Sequence, residues 1–148
     1  MSYREKSKIV DLICTIFIST GFFIYVFLKF QEGTLNSGNI FSFWGSLFFV
    51  LIIVTIVVNI VVQILFGIIN TVVTKEELPS ITDERDKLIE LKATRNSYYV
   101  FVTGFLLAMG SLAIGMSPNV MFSTLFISGS VGSMMDSLSM LYYYRRGF

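Results

Sequence analysis

The residue of this chain with the clearest capacity for chemistry is Asp136, a carboxylate inside the otherwise uncharged segment from Val120 to Tyr144. Such a group is costly in hydrocarbon, and it marks ion sites, proton relays or paired polar networks. A second set of side chains interrupts the apolar segment from Ile40 to Val73 at steps of four, four, four and three: Thr55, Asn59, Gln63, Gly67 and Asn70. This spacing predicts one helical face, which either hydrogen-bonds to other helices or lines a polar path.

Counting residues from the basic positions that flank each segment estimates how deep a side chain lies. Asp136 is nine residues from Arg145, which corresponds to about 14 Å along a helix. Polar residues of the other segments reach a similar depth. We therefore expect one intramembrane polar site, with no lysine or arginine at its level, formed by Asp136, Gln63, Asn59, Thr103 and Thr15. Asp136 would then be a neutral or hydrated carboxyl of a structural network, or a proton or cation site.

The composition narrows the class of protein. Of 148 residues, 54% are hydrophobic and 14% are charged, whereas an average soluble domain has about 25% charged residues. This predicts a membrane protein, because a soluble domain of this kind would expose too much apolar surface. There is no histidine and a single cysteine, Cys14, and no nucleophile–base pair, metal-ligand spacing or phosphate loop is present. We expect no enzyme, no catalytic residue, no cofactor and no metal, and the net charge of +1 argues against nucleic acid as a partner.

Four segments are long enough to cross a bilayer, which takes about 20 mostly apolar residues. We expect an all-α membrane fold in one integral membrane domain, residues 1–148, with helices at about 9–30, 40–73, 83–116 and 120–144. The third of these includes a part outside the membrane. The sequence does not decide whether the long second helix is kinked at Gly67 or tilted.

The basic residues predict the orientation of these helices. Ten of the 11 Lys and Arg residues lie before the first segment, between the second and third segments, or after the fourth. Since loops with an excess of Lys and Arg stay in the cytosol, both termini and the 75–96 loop are predicted to be cytosolic. Trp44 is expected at the outer headgroup level, and the inner level is expected to hold Tyr98, Tyr99, Tyr142, Tyr143 and Tyr144.

Small residues recur on the third and fourth segments. They are Gly104, Ala108, Ser111 and Gly115 on the third, and Thr124, Ser128 and Gly132, followed by Asp136, on the fourth. Faces with so little side chain allow two membrane helices to approach closely. We expect an antiparallel hairpin with a tight turn at Pro118-Asn119; the alternative is that the stripes border a substrate groove.

The loop before the third segment predicts a charged helix outside the membrane. Thr82 or Asp83 can cap it, Asp83 and Lys87 can form an i, i+4 ion pair, and Pro79 separates it from the second segment. Nothing breaks the pattern between Arg95 and the third segment, so the two are expected to form one continuous helix. The charged residues are either a solvated face or a docking surface for a cytosolic protein, formed by Asp83, Glu84, Arg85, Asp86, Lys87 and Glu90.

Three short segments resemble those of a group of uncharacterised small bacterial four-helix integral membrane proteins. They are Arg4-Glu5-Lys6-Ser7, the stretch from Asp83 to Ala93, and Tyr142-Tyr143-Tyr144-Arg145-Arg146-Gly147. The resemblance implies a bacterial inner or plasma membrane location. Because that group has no established activity, it implies no functional residue.

Two functions are consistent with these features. The first is a regulatory or structural membrane protein that is not an enzyme and whose charged cytosolic helix meets a protein partner. The second is a small oligomeric transporter or channel with a polar path around Asp136, Gln63 and Asn59. The expected partners are the lipid bilayer and a second copy of the chain in both cases, with a cytosolic protein in addition in the first.

Overall fold

A computed structural model describes residues 3–33, 38–74 and 83–146. These residues form four helices, α1 (Tyr3–Gln31), α2 (Ile40–Thr74), α3 (Glu84–Ala113) and α4 (Pro118–Arg146), which confirms the all-α prediction. By length and composition, α1, α2 and α3 could each cross a membrane. α4 is as long as α1 but more polar, because serines and glycines recur along it. Several positions used in the sequence-based predictions lie outside the described residues: Pro79, Thr82 and Gly147, together with the start of the 75–96 loop.

α1 begins earlier than its apolar stretch suggested. The predicted start was Ile9, but the helix begins at Tyr3 and carries Glu5 in its first turn. An acidic side chain is favourable there because the N-terminal end of a helix is electropositive. The basic segment is therefore part of the helix, and Ser7, Lys8 and Asp11 share one of its faces.

The connection between α3 and α4 begins with a glycine that ends α3. Gly115 has a φ of +82°, and its N–H donates to the Leu112 carbonyl at 3.0 Å, while the Met116 N–H donates to the Ser111 carbonyl at 3.0 Å. These two hydrogen bonds, together with a glycine in the left-handed conformation, form the Schellman motif. The predicted hairpin is confirmed, but the predicted turn at Pro118-Asn119 is wrong. Pro118 begins α4, since the first helical position needs no N–H donor.

α3 and α4 pack closely over most of their length, and small residues make this possible. A Cβ added to Gly104 would lie 2.6 Å from the Cβ of Ser128, so the two backbones approach as closely as a glycine allows. Ser97 Oγ donates to the Gly132 carbonyl at 2.8 Å, and Ala108 is fully buried. The prediction that small residues form the helix–helix interface is confirmed for Gly104, Ala108, Ser128 and Gly132, whereas Gly115 lies exposed beyond the end of α3.

One end of the bundle, the termini end, holds the start of α1 and the end of α4. Arg4 Nε lies 3.3 Å from Asp86 Oδ2, and the Tyr144 hydroxyl donates to Asp86 Oδ1 at 3.0 Å. α1, α3 and α4 thus meet at one carboxylate. Beside it, buried Ile89, Ala93 and Met140 pack with Tyr143 and Tyr144. These two tyrosines are half-buried against α3, whereas Tyr98, Tyr99 and Tyr142 are exposed.

The opposite end, the hairpin end, is held by Trp44. Its side chain is only 1% exposed, stacks on Phe122 with ring centres 5.4 Å apart, and donates from Nε1 to Asn119 Oδ1 at 2.9 Å. Its level relative to the outer headgroups stays a prediction, but the side chain is packed inside the protein. The indole instead joins the start of α2 to the start of α4, since a buried indole N–H needs an acceptor.

The four helices do not close on all sides. α4 packs against α3 and α1, and α1 packs against α2, while α2 reaches α4 over a much smaller area. No extensive contact joins α2 to α3 within the described residues. The bundle is therefore open along the side between these two helices.

Candidate functional site

A cavity of about 1140 Å³ lies between the helices, and residues of all four line it. We call it the groove. Both α2 and α3 line it, and no extensive contact joins them among the described residues, so its open side lies between them. Most of its wall surface is apolar, although serines and threonines also line it, and the charged side chains gather with Gln63 at the termini end: Lys8, Asp11 and Asp136. The groove is thus amphipathic along its length.

A basic residue stands between the two carboxylates of the groove. Lys8 Nζ lies 3.3 Å from Asp11 Oδ2 and 3.9 Å from Asp136 Oδ2. We call these three residues the triad. The prediction that no lysine or arginine reaches Asp136 is therefore wrong. Lys8 was assigned to the sequence before the membrane, but the early start of α1 brings its ammonium alongside α4.

Gln63 fixes one end of the triad. Its Nε2 donates to Asp11 Oδ1, and its Oε1 accepts a 2.8 Å hydrogen bond from Ser7 Oγ. The amide therefore uses both of its ends to join α2 to α1, as expected for a polar group placed among apolar residues. Asp11 is held by two partners, Lys8 and Gln63, whereas Asp136 shares Lys8 at the longer distance.

We predict that Gln63→Leu weakens the attachment of α2 to α1. The substitution leaves Ser7 and Asp11 without their amide partner, and losing two such hydrogen bonds should lower the free energy of unfolding by about 1–3 kcal/mol. Titration of the purified protein from mild detergent into SDS, followed by circular dichroism, measures this quantity.

Asn59→Leu is the matched control for Gln63→Leu. Asn59 lies one turn earlier on α2 and also lines the groove, but its amide makes no hydrogen bond within the part of the chain that the structure describes. Its replacement should change the free energy of unfolding by no more than about 0.5 kcal/mol. Equal losses in the two variants would contradict the assignment of Gln63 as the helix-joining amide.

The structure brings together four of the five predicted polar-site residues. Asp136, Gln63, Asn59 and Thr15 line the groove. Thr103 does not: its side chain is exposed and its hydroxyl donates to the Tyr99 carbonyl at 2.8 Å, within α3. A hydroxyl near an apolar surface commonly satisfies itself in this way on the preceding helical turn.

Among the groove residues that sequence reasoning missed are the three of α1 that surround the charged site, Ser7, Lys8 and Asp11. One signal was available, because Lys8 and Asp11 are three residues apart and would share a helical face if the helix began early enough. The apolar stretch alone gave no reason to extend the helix to Tyr3. Hydroxyl groups and aromatic rings of α2, α3 and α4 also line the groove: Thr55, Ser130 and Ser133, and Phe48, Phe101 and Phe105.

The six predicted docking residues do not form one free surface. Asp83, Glu84, Arg85, Lys87 and Glu90 are exposed on the first turns of α3. Asp86 is instead occupied by Arg4 and Tyr144. Asp83 stands at the N-cap position of α3, but its side chain makes no capping hydrogen bond. Exposed Leu88 and Leu91 lie among these charged residues.

Among residues 3–33, 38–74 and 83–146, no three His, Cys, Asp or Glu side chains are placed to hold a metal ion together. The chemistry available in the groove is that of carboxylates, an ammonium, amides and hydroxyls beside aromatic rings. Comparison of the chain with protein-family models, curated proteins and solved structures gave no match.

Proposed function

We propose that this chain is a small multi-pass transporter of a bacterial inner or plasma membrane, without enzymatic activity, and that the groove is its substrate path. The observation that carries the proposal is the triad, a charged site that opens into a cavity lined by all four helices. Intramembrane ionisable residues that face a cavity mark ion and substrate pathways. Asp136, Gln63 and Asn59, the residues expected to line a polar path, all border this cavity.

The proposed arrangement has four membrane crossings and cytosolic termini. Three helices are apolar enough to cross by themselves, and α4 packs along α3 with its serines turned inward: Ser128, Ser137 and Ser139 are buried. A helix whose polar groups face protein can cross a bilayer despite a low mean hydropathy. The basic residues at the termini end support its cytosolic orientation.

We predict that positions at the two ends of the bundle differ in access from outside the cell. In a Cys14→Ser background, which has no other cysteine, Ser117→Cys at the hairpin end should react with a membrane-impermeant maleimide in intact cells. Lys87→Cys at the termini end should react only after the membrane is permeabilised. Both side chains are exposed, so the difference reports orientation. The reverse labelling pattern would contradict the proposed topology.

The triad offers a simple mechanism for coupling occupancy to movement. Lys8 is shared by two carboxylates, and its contact with Asp136 is the longer of the two. When a proton or a cation neutralises Asp136, its attraction to Lys8 is lost, and Lys8 then pairs with Asp11 alone. α1 and α4 would then lose one of the interactions that join them at the groove. Because no extensive contact joins α2 to α3 in the part of the chain that the structure describes, a second copy of the chain could enclose the open side.

Purified protein in liposomes tests this function. Under imposed proton, sodium or potassium gradients, we expect protein-dependent flux, measured with an internal pH dye and an ion-selective electrode. Asp136→Asn should abolish the flux while the protein still folds and inserts, whereas Glu84→Gln, on the exposed start of α3, should keep it. Absence of flux under every gradient, together with absence of uptake of any organic solute, would remove the transporter proposal.

A second function, regulation through a cytosolic protein, is favoured by a different observation. Leu88 and Leu91 are 52% and 67% exposed among the charged residues at the start of α3, and their spacing of three residues places them close together on the helix surface, where a partner could cover both. A photo-crosslinker at position 91 should then give one defined product in cells. Loss of that product on Leu88→Glu would support docking, whereas no specific product, or a product with a second copy of the chain, would argue against a cytosolic partner.

A further inference from the structure

The net charge of the triad indicates the sign of the ligand that the groove accepts. Asp11 and Asp136 provide two carboxylates and Lys8 provides one ammonium, so the site holds one negative charge in excess when all three are ionised. In a mostly apolar cavity such an excess is costly unless a cation is close. A cationic ligand therefore improves the charge balance of the site, and an anionic ligand makes it worse.

Asp136 is the carboxylate that can receive this ligand. Asp11 is held by the shorter contact with Lys8 and by the Gln63 amide. Asp136 has the longer contact of 3.9 Å with Lys8 and retains part of its surface toward the groove. The ammonium of Lys8 thus acts as a resident counter-ion that an arriving cation can replace, while Lys8 keeps its contact with Asp11.

The size and the walls of the groove indicate what the cation carries. A cavity of about 1140 Å³ is as large as those that bind drug-sized molecules, which are typically about 300–1,000 Å³. A bare metal cation would leave most of this space unfilled. Phe48, Phe101, Phe105 and Phe126 line the groove, and aromatic rings attract cations as well as apolar surface.

We propose that the groove binds monovalent organic cations with an apolar body, with Asp136 as their counter-ion and the phenylalanine rings around the body. This inference deepens the proposed transport function and rests on the same groove. The open side between α2 and α3 admits such a molecule directly from the bilayer, where amphipathic cations concentrate. Lys8 competes with the ligand for Asp136. The Asp136 carboxylate therefore has a cation beside it both in the empty groove, where the cation is Lys8, and in the occupied groove, where it is the ligand.

Two ions of nearly equal size and opposite charge test the inference. The full-length protein in nanodiscs is titrated with tetraphenylphosphonium and with tetraphenylborate, with protein-free nanodiscs as the baseline, in an isothermal calorimeter. We expect saturable, protein-dependent binding of the cation and at least about tenfold weaker binding of the anion. Equal binding of the two ions, or no saturable binding of the cation, would overturn the inference.

Two substitutions in the triad should change the affinity in opposite directions. Asp136→Asn removes the counter-ion and should weaken tetraphenylphosphonium binding by about tenfold or more, whereas Lys8→Gln removes the competitor and should strengthen it by about threefold to tenfold. Glu84→Gln is the control outside the groove and should leave the affinity unchanged. Weaker binding in Lys8→Gln would overturn the inference, because it would mean that the ammonium itself holds the ligand. If Asp136→Asn does not fold, the comparison of the two ions with the native protein still tests whether the groove prefers cations.

The outcome separates this inference from the transport proposal. Proton or inorganic ion flux in liposomes without tetraphenylphosphonium binding would leave the transporter proposal intact and overturn the organic cation as its substrate. Cation binding without any flux or uptake would support the ligand class and remove the transport step.

Discussion

Gly104→Ala should lower the free energy of unfolding by about 1–3 kcal/mol, the usual effect of overpacking a tight interface. The new Cβ would fall inside van der Waals contact of Ser128 Oγ and lie 2.6 Å from Ser128 Cβ. Both atoms are close to the backbone, so α3 and α4 have to move apart. Because membrane helices associate mainly by close packing, this separation weakens the contacts along the whole interface.

Gly110→Ala on the same helix is the matched control. A Cβ at Gly110 meets nothing within 4 Å, so the substitution should be neutral or stabilising by up to about 1 kcal/mol through helix propensity. The double variant Gly104→Ala/Ser128→Gly removes the clashing side chain and should recover most of the loss. SDS titration followed by circular dichroism measures all four proteins. A Gly104→Ala variant as stable as the native sequence would contradict the packing described for this interface.

The hairpin could be predicted from sequence because its determinants are local. Gly104 and Ala108 are four residues apart on one helix, and Ser128 and Gly132 are four apart on the next. Such a spacing identifies a face without any knowledge of the partner. Because the connection between the two helices is short, they must run antiparallel and side by side, which brings the two faces together. The position of the turn is not predicted correctly, because proline is favoured in turns and is equally suited to begin a helix, as Pro118 does.

The polar site was predicted only in part, because depth along a helix does not give direction around it. Thr103 was grouped with Asp136 by its depth, yet Phe101 and Phe105 are the α3 residues that line the groove at that level. Positions two apart on a helix point in directions that differ by about 200°. Thr103 therefore faces away from the groove when Phe101 and Phe105 face into it. Gln63 and Asn59 were correctly placed because both lie on the one polar stripe of α2.

The charged partner of Asp136 could not be identified from the sequence because it depends on how far α1 extends and which helix it meets. Lys8 is 128 positions from Asp136 in the chain, and a contact at this separation has no local signature. Hydropathy places the start of the first segment at Ile9. The helix nevertheless extends back to Tyr3, because the polar residues before Ile9 can still form backbone hydrogen bonds. The triad thus arises from tertiary packing, with α1 lying against α4.

The second large effect on stability is expected at Trp44, near the start of α2. Trp44→Ala should lower the free energy of unfolding by about 3–5 kcal/mol, the usual range for a buried large aromatic side chain. The indole is 1% exposed, stacks on Phe122 and binds Asn119. Since α2 contacts α4 over a small area, this one side chain provides a large share of the attachment.

Two further variants separate the contributions of Trp44. Trp44→Phe keeps an aromatic ring but removes the hydrogen bond to Asn119, so it should cost about 0.6–2 kcal/mol. Phe49→Ala removes an aromatic side chain that is 68% exposed on the same helix, and it should change the free energy of unfolding by less than about 1 kcal/mol. Thermal unfolding of the detergent-solubilised variants, followed by circular dichroism, gives the order of stability. If Phe49→Ala were as destabilising as Trp44→Ala, general loss of apolar surface, and not the Trp44 contacts, would explain the effect.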